Sequence, residues 1–302
     1  MNGIIDAGEN IRDYNYEVLC GSSEIKDSFP KKFQLKPLTI KNQYDVGECV
    51  GCTMATIVES YFGGEFSENW AYGRLRPDSH TGLGMVSSQA ISLLKEIGII
   101  PKKYFDVLLE MPDVRDAVKR FPEYDEIAKN FKISGYVKIN SGDPTTGLKK
   151  DLQIKDALTK YERPLFAVSP KGFVGGSHAI SLLGWDDESD EYVFQNSWGE
   201  KYGDRGIGKI NKREIRDVYI FLFEPISLPF DDVKETDWFY KAIKNCYMAG
   251  LIKGRTENIF APNDFITRAE LCTILDRHQE KDQQAHESLA KLLEVKYEHD
   301  QL

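Results

Sequence analysis

Three residues are spaced so that a folded chain could use them for nucleophilic chemistry: Cys49, His178 and Asn196. A cysteine nucleophile needs a route to the thiolate, a base, a group that orients the base, and donors for the oxyanion. Cys49 stands just before an almost wholly apolar run that extends to Ile57, and such a run predicts a helix buried all round. A helix start carries partial positive charge and unpaired N–H groups, which favour a thiolate and can add to an oxyanion site. The runs holding His178 and Asn196 flank Asp186-Asp187-Glu188-Ser189-Asp190, a turn sequence, and so predict a hairpin. A turn centred on residue 188 pairs 178 with 198 and 180 with 196. The imidazole and the amide then share one face as diagonal neighbours. An amide holding the second ring nitrogen is what a cysteine–histidine pair requires. A buried cysteine alone is more commonly packing, and a lone histidine more commonly structural, so it is the set of three that carries the chemistry.

The elements that must position these residues change character along the chain. Residues 1–28 are polar with short apolar pairs and read as an N-terminal arm. Residues 29–40 read as extended, because Pro30 and Pro37 forbid a continuous helix. Helical spacing covers 86–98 and ends in Gly98, a C-cap glycine, and the charged stretch 113–130 also reads as helical. From residue 163 the chain turns to short β-branched or aromatic runs: RPLFAV, HAISLLGW, EYVFQNSW, GIGKI and VYIFLFE. A helical half followed by an antiparallel half predicts an α+β fold over residues 29–227.

Around Leu228-Pro229 the strands stop, and 228–277 read as a second unit of two short amphipathic helices. Ala242, Ile243, Cys246 and Ala249 stripe the first, and Leu271, Ile274 and Leu275 the second. Thr267 with Glu270 three residues later predicts a capping box. Cys246 and Cys272 fall among the apolar positions and read as core. Residues 278–302 are a charged tail carrying Leu289, Leu292 and Leu293, read as a solvated helix.

Composition narrows the function classes. A chain of 302 residues with 41% hydrophobic and 29% charged residues is ordinary for a globular protein. Its net charge of −9 argues against a nucleic-acid partner and against an anionic membrane surface. Cysteines at 20, 49, 52, 246 and 272 are too few for a disulfide scaffold, so mostly free thiols are expected. The start MNGIIDAGENIRDY lacks the basic and apolar regions of a signal peptide, and no stretch approaches the ~18 apolar residues of a membrane span. The expectation is a protein without a membrane span, either lacking its leader, or cytoplasmic, or released by another route such as phage-like lysis.

Residues 29–227 resemble the papain family. NQYDVGECVGCTMA is similar to its Gln…Cys-then-helix motif, GSHAISLLGW to its histidine strand, and YVFQNSWGEKYGDRGIGKI to its asparagine segment. Asn196-Ser197-Trp198-Gly199 is the most specific piece. The resemblance implies a helical half and a strand half with a cleft between them, and it implies acyl transfer. The Cys49 thiolate, paired with protonated His178, attacks a peptide carbonyl while the Cys49 N–H and the Gln43 side chain hold the oxyanion. Neither a metal nor an organic cofactor is implied.

The same resemblance decides between Cys49 and Cys52. The family's oxyanion glutamine lies six residues before its nucleophile, and Gln43 is six before Cys49 but nine before Cys52. Cys52 then falls inside the helix as packing, and a zinc or redox reading of CVGC lacks a second ligand pair. Gly82 and Gly84 fall near the family's glycine strand on the non-primed side of the cleft, and Trp198 is a further substrate-binding candidate. Two departures stand out. Tyr44 occupies a place where the family usually has glycine, and Val50 one where it has tryptophan.

Residues 228–277 resemble an S-layer homology module, through Phe-x-Asp-Val, a Trp-x-x-x-Ala-Ile helix, Gly-Leu-Ile-x-Gly, Phe-x-Pro and Ile-Thr-Arg-Ala-Glu. That resemblance implies binding of pyruvylated secondary cell-wall polysaccharide, with Arg268 meeting the carboxylate and Trp238 beside it. Core packing is an equal reading for Trp238. The combined expectation is a cysteine endopeptidase acting on protein or peptide substrates at a bacterial cell surface. Other readings of the same residues are a wall hydrolase or transpeptidase acting on peptidoglycan stem peptides, and an inactive scaffold for attachment.

Overall fold

The computed structural model of the chain describes residues 4–5, 14–16, 28–77, 83–106, 118, 123–139, 147–173, 176–224, 227–248 and 251–279. It divides into two compact units, Met1–Phe223 and Glu224–Leu302. In the first, strands β1 (Ile4–Ile5), β2 (Tyr14–Asn15) and β3 (Lys32–Gln34) precede helices α1 (Cys49–Phe62) and α2 (Glu68–Arg74). Strand β4 (Met85–Val86) leads into helix α3 (Ser87–Glu96), and then come α4 (Glu123–Ala128), strand β5 (Gly135–Ile139) and α5 (Gly147–Tyr161). Strands β6 (Leu165–Phe173), β7 (Gly176–Asp186), β8 (Glu191–Gln195), β9 (Ile207–Asn211) and β10 (Asp217–Leu222) complete it.

The main sheet runs β2-β5-β10-β6-β7-β8-β9, with β3 also paired to β7. Its pairings are antiparallel except β2 with β5. Alternate strand residues and α5 enclose one core, in which Ile154, Ala157 and Leu158 of the helix meet Ile180, Leu182, Trp185 and Phe194 of the sheet. Helix α1 packs on α2 and on strands β6 and β7. Its residues from Cys49 to Glu59 are all buried, as the apolar run predicts.

Three regions add to or limit the sequence expectations. Within the stretch read as an N-terminal arm, the described residues pair with the first unit: β1 pairs with β4, β2 extends the sheet at β5, and Tyr16 is fully buried in the core. Two residues are enough to pair with an open strand edge, Ile4–Ile5 in β1 and Tyr14–Asn15 in β2, and the buried Tyr16 anchors the second. Helix α5 was not foreseen, because lysines and aspartates mask its apolar positions. Of the helix expected over 113–130, Glu123–Ala128 is found, and most of the remainder lies outside the described residues.

The β7–β8 hairpin is found with a bulge. Beside its turn the pairs are Asp186↔Glu191 and Trp185↔Tyr192, one residue off the predicted register. An irregularity between Leu182 and Gly184 absorbs the difference, so Ser181↔Gln195 keeps the predicted register at the far end. Gly184 fits because β3 crosses there, and a Cβ would lie 2.0 Å from the Phe33 carbonyl oxygen.

The second unit contains α6 (Tyr240–Met248) and α7 (residues 268–279), with no strand among its described residues. Its core is small: Phe230, Val233 and Ile243 are buried, with Leu228, Phe239, Tyr240, Ile252 and Phe260 against them. A polar clamp supplements it, as the Asp232 carboxylate accepts from the Phe260 N–H at 2.9 Å and the Ala261 N–H at 2.7 Å. The capping box forms, with Thr267 Oγ1 accepting from Glu270 N at 3.1 Å and Glu270 Oε2 from Thr267 N at 2.7 Å. The expected apolar face of α7 is not buried, however: Leu271, Cys272 and Leu275 are exposed and Ile274 is half-buried. Cys272 is therefore not core, and Cys246 is only half-buried. Among the described residues no helix is long and apolar enough to cross a membrane.

Candidate active site

The loop before α1 and the segment after β8 are zipped together. Gln43 N donates to the Ser197 carbonyl at 2.8 Å, Gly199 N donates to the Lys41 carbonyl at 2.9 Å, and Asn42 bridges Trp198 between them. Side chains repeat the lock: Ser197 Oγ donates to Gln43 Oε1 at 2.6 Å, and Gln43 Nε2 donates to the Val46 carbonyl at 2.8 Å. Gln43 is thus fixed from both ends of its amide and is buried. Ser197 was not singled out from the sequence, although it lies inside the Asn-Ser-Trp-Gly motif that was.

Tyr44, the departure beside this glutamine, has φ +47°, in the left-handed region that favours glycine. Its N–H is held by the Asn42 side-chain oxygen at 3.0 Å, and its own side chain is exposed. A glycine-type backbone has been kept here under a tyrosine.

His178 Nε2 and Asn196 Oδ1 are 2.7 Å apart. The same Oδ1 accepts from the Ser197 backbone N–H at 2.8 Å, and a backbone N–H can only donate. The atom is therefore the amide oxygen, His178 Nε2 carries its hydrogen, and Nδ1 is the basic nitrogen. Trp198 lies on the imidazole, with ring centroids 4.7 Å apart, and Tyr202 meets the indole edge-on at 5.2 Å. Cys49 is the first residue of α1, fully buried, and a backbone hydrogen bond ties its thiol to Ala179, the residue after His178. Cys49, Gln43, His178, Asn196 and Trp198 thus converge on one end of the β7–β8 hairpin.

Burial dominates the electrostatics. It pushes the Cys49 thiol up to about 12, against the pull of hydrogen bonds from the Ala179, Val50 and Cys49 backbone. It lowers His178 to about 4, opposed by the bond to Asn196. Both shifts favour the uncharged forms. Behind α1 lies a buried ionic cluster that the sequence reading did not anticipate: Lys41 Nζ is 2.7 Å from Glu59 and 3.2 Å from Glu68, and Lys102 Nζ is 3.0 Å from Glu68.

Gly84 lies close to this end of α1, since a Cβ on Gly47 would stand 3.1 Å from Gly84 N. That N–H is bonded to the Tyr72 hydroxyl at 3.3 Å. Gly82 lies outside the described residues. In the second unit Trp238 is 92% exposed, which removes the core-packing reading, and Arg268 is exposed too. That unit holds a cavity of about 480 Å³ lined by Arg255, Arg277, Lys253, Phe260 and Phe265 among others, but by neither Trp238 nor Arg268. Arg255 is braced there by Glu270 at 3.2 Å and Asp264 at 3.2 Å.

Residues 130–220 match the family model described as papain family cysteine protease, and 229–272 match the S-layer homology domain. The first match takes in His178 and Asn196 and leaves Cys49 and Gln43 outside it. The fold is similar to that of xylellain, a cysteine protease from Xylella fastidiosa, at 18% identity and a TM-score of 0.57, covering 74% of this chain and 96% of that one. Digestive procathepsin L 3 of Tenebrio molitor is similar at 15% identity and a TM-score of 0.50, covering 70% and 74%. Among curated proteins, an exoglucanase of Acetivibrio thermocellus is 47% identical over 51 residues and an endoglucanase of a Bacillus species 39% over 51 residues. Each match covers 17% of this chain, which spans only 5% of the length of those relatives.

Proposed function

The chain carries a papain-family cysteine protease domain and an S-layer homology domain, and on that premise we propose that it is a cysteine endopeptidase working at the bacterial cell envelope. The observation that carries the site assignment is the 2.7 Å bond from His178 Nε2 to Asn196 Oδ1, one residue away from the backbone hydrogen bond that holds the Cys49 thiol. Cys49 is the nucleophile. Because burial favours the neutral thiol and imidazole, the thiol proton passes to His178 Nδ1 as the sulfur attacks the peptide carbonyl. Asn196 keeps the ring in the tautomer that can accept it, and Trp198 shields that bond. The Cys49 N–H and the second N–H of the Gln43 amide hold the oxyanion. His178 then protonates the leaving amine, and water hydrolyses the thioester.

An epoxide thiol probe tests this. It is expected to add to Cys49 and to leave Cys52 unmodified, as located by peptide mass spectrometry. Addition at Cys52, or none at either cysteine in folded protein, overturns the assignment. The S-layer homology domain favours a second substrate reading, in which the same pair acts on peptidoglycan stem peptides as a wall hydrolase or transpeptidase. Dye release from casein against dye release from purified peptidoglycan separates the two.

The second unit is the cell-wall-binding part of this proposal, with secondary cell-wall polysaccharide as partner. Arg268 and Trp238 are exposed and therefore accessible, and a guanidinium suits a pyruvyl carboxylate. The full chain should co-sediment with purified bacterial walls, less so as Arg268→Ala, and not with walls stripped of polysaccharide by acid. Equal binding to stripped walls overturns this part.

A further inference from the structure

Glu48 precedes the nucleophile directly and has no role in the chemistry above. It is the N-cap residue of α1, and its carbonyl accepts from Cys52 N at 2.9 Å, yet its side chain makes no capping bond. Instead the side chain turns inward. The residue is 0% exposed, and neither carboxyl oxygen has a hydrogen-bond partner among the described residues. The titratable and charged groups that act on it electrostatically are Cys49 and Cys52 on α1, Glu68 and Tyr72 on α2, Lys41 in the preceding loop and Lys102 in the turn Lys102–Tyr104.

The two lysines in that set are already matched. Lys41 is held by Glu59 and Glu68, and Lys102 by Glu68 and by Asp106 at 3.4 Å. A Glu48 carboxylate would add a further buried negative charge with no donor and no unclaimed cation. Such a group keeps its proton instead of ionising.

We propose that Glu48 is a positioning acid for Cys49: the site works while this carboxyl is protonated, and its ionisation sets an uncompensated negative charge against the nucleophile and the oxyanion site. The inference rests on reading Cys49 as the nucleophile. An ionised Glu48 raises the Cys49 thiol, and burial together with Glu68 lifts the Glu48 carboxyl to about 8. The switch therefore falls on the alkaline side of neutrality. A serine or glycine at this position would leave the start of α1 without such a dependence.

Two measurements on the full chain, with Glu48→Gln and the apolar Glu48→Met, test it. The first is the rate of iodoacetamide addition to Cys49 between pH 6.5 and 9, followed by peptide mass spectrometry. Each protein is normalised to its own rate at pH 6.5. By pH 9 both variants should have gained about tenfold over the wild type, because only in the wild type does an ionised carboxyl at this position raise the thiol. The second is thermal unfolding between pH 6.5 and 8, which does not depend on activity. A folded-state pKa raised above the unfolded value means that stability falls as pH rises through this window, so the wild-type Tm should drop by about 5 °C and the variants' Tm should stay flat. Equal Tm slopes in all three proteins overturn the proposal. A flat Tm in the variants with no change in the alkylation profile leaves Glu48 protonated but overturns its action on Cys49. Absence of any addition to Cys49 in folded wild type overturns the reading of the site, and this inference with it.

Discussion

The β7–β8 end of the first unit and the helical second unit are held together by opposite means. At the first, three of the candidate side chains are fixed more than once. Gln43 is bonded at both ends of its amide, Asn196 Oδ1 takes two donors, and His178 is held by Asn196 and covered by Trp198. All these residues but Trp198 are buried. The second unit has, among its described residues, three buried apolar side chains, a carboxylate clamp and a helix whose apolar face is largely exposed. Catalytic groups must hold their geometry to a fraction of an ångström, and burial with redundant bonding supplies that. A unit that binds a surface needs exposed side chains, and Trp238 and Arg268 are exposed.

The largest effect should come from the proposed nucleophile. Cys49→Ala is expected to abolish peptidase activity, whereas Cys52→Ala, one turn further into the same buried helix, should cost about 1 kcal/mol of stability and leave turnover measurable. An inactive but folded Cys52→Ala beside an active Cys49→Ala would reverse the assignment. Next come the proposed base and its orienter. His178→Ala should lower kcat/KM by about 10²–10⁴-fold. Asn196→Ala should lower it by about tenfold, since the proton acceptor stays and only its orientation is lost. Activity should also vanish as pH falls through about 4, where His178 gains its proton and can no longer accept one. An acidic limb nearer 6.5, the ordinary histidine value, would show that burial does not act on this imidazole.

The sequence made this end of the molecule legible for a physical reason. A hairpin has a period of two, so the turn sequence around Glu188 placed His178 and Asn196 on one face, and the bulge near Leu183 moved the register without moving the pair. Long-range polar contacts have no such period. Nothing local says that Lys41 will meet Glu59 and Glu68, that Ser197 will hold Gln43, or that Glu48 will turn inward. Helix α5 was missed because its buried run includes Lys155 and Asp156, whose charges are satisfied by Asp187 at 2.8 Å and by Tyr16. In the second unit the capping box was readable, being local. The burial of the Leu271 and Leu275 stripe was misread, because a hydrophobic period shows that a face is apolar and not that anything covers it.

Tyr44 offers a smaller effect that sharpens the contrast. Its φ of +47° is held by the zipped loop around it, at a cost a glycine would not incur. Tyr44→Gly should stabilise the protein by about 0.5–1 kcal/mol net of the greater freedom of the unfolded glycine. Chemical denaturation measures it. A destabilisation instead would mean that the exposed tyrosine ring contributes more than its backbone strain.

The smallest effect is expected at Leu275 and tests the comparison from its other side. Ile57 in α1 is 1% exposed, and Ile57→Ala should cost about 2–5 kcal/mol, the usual loss for a closed core position. Leu275 in α7 is 59% exposed, so Leu275→Ala should stay within about 0.5 kcal/mol. Both side chains are large and aliphatic and both sit on helices, so the difference measures what covers them and not what they are. The measurement is denaturant unfolding of the full chain at two protein concentrations a hundredfold apart. A cost above about 2 kcal/mol for Leu275→Ala, appearing only at the higher concentration, would mean that α7 is covered by another copy of the chain. The second unit would then have its core completed by association, and the contrast with the self-sufficient catalytic end would be one of where the partner side chains come from.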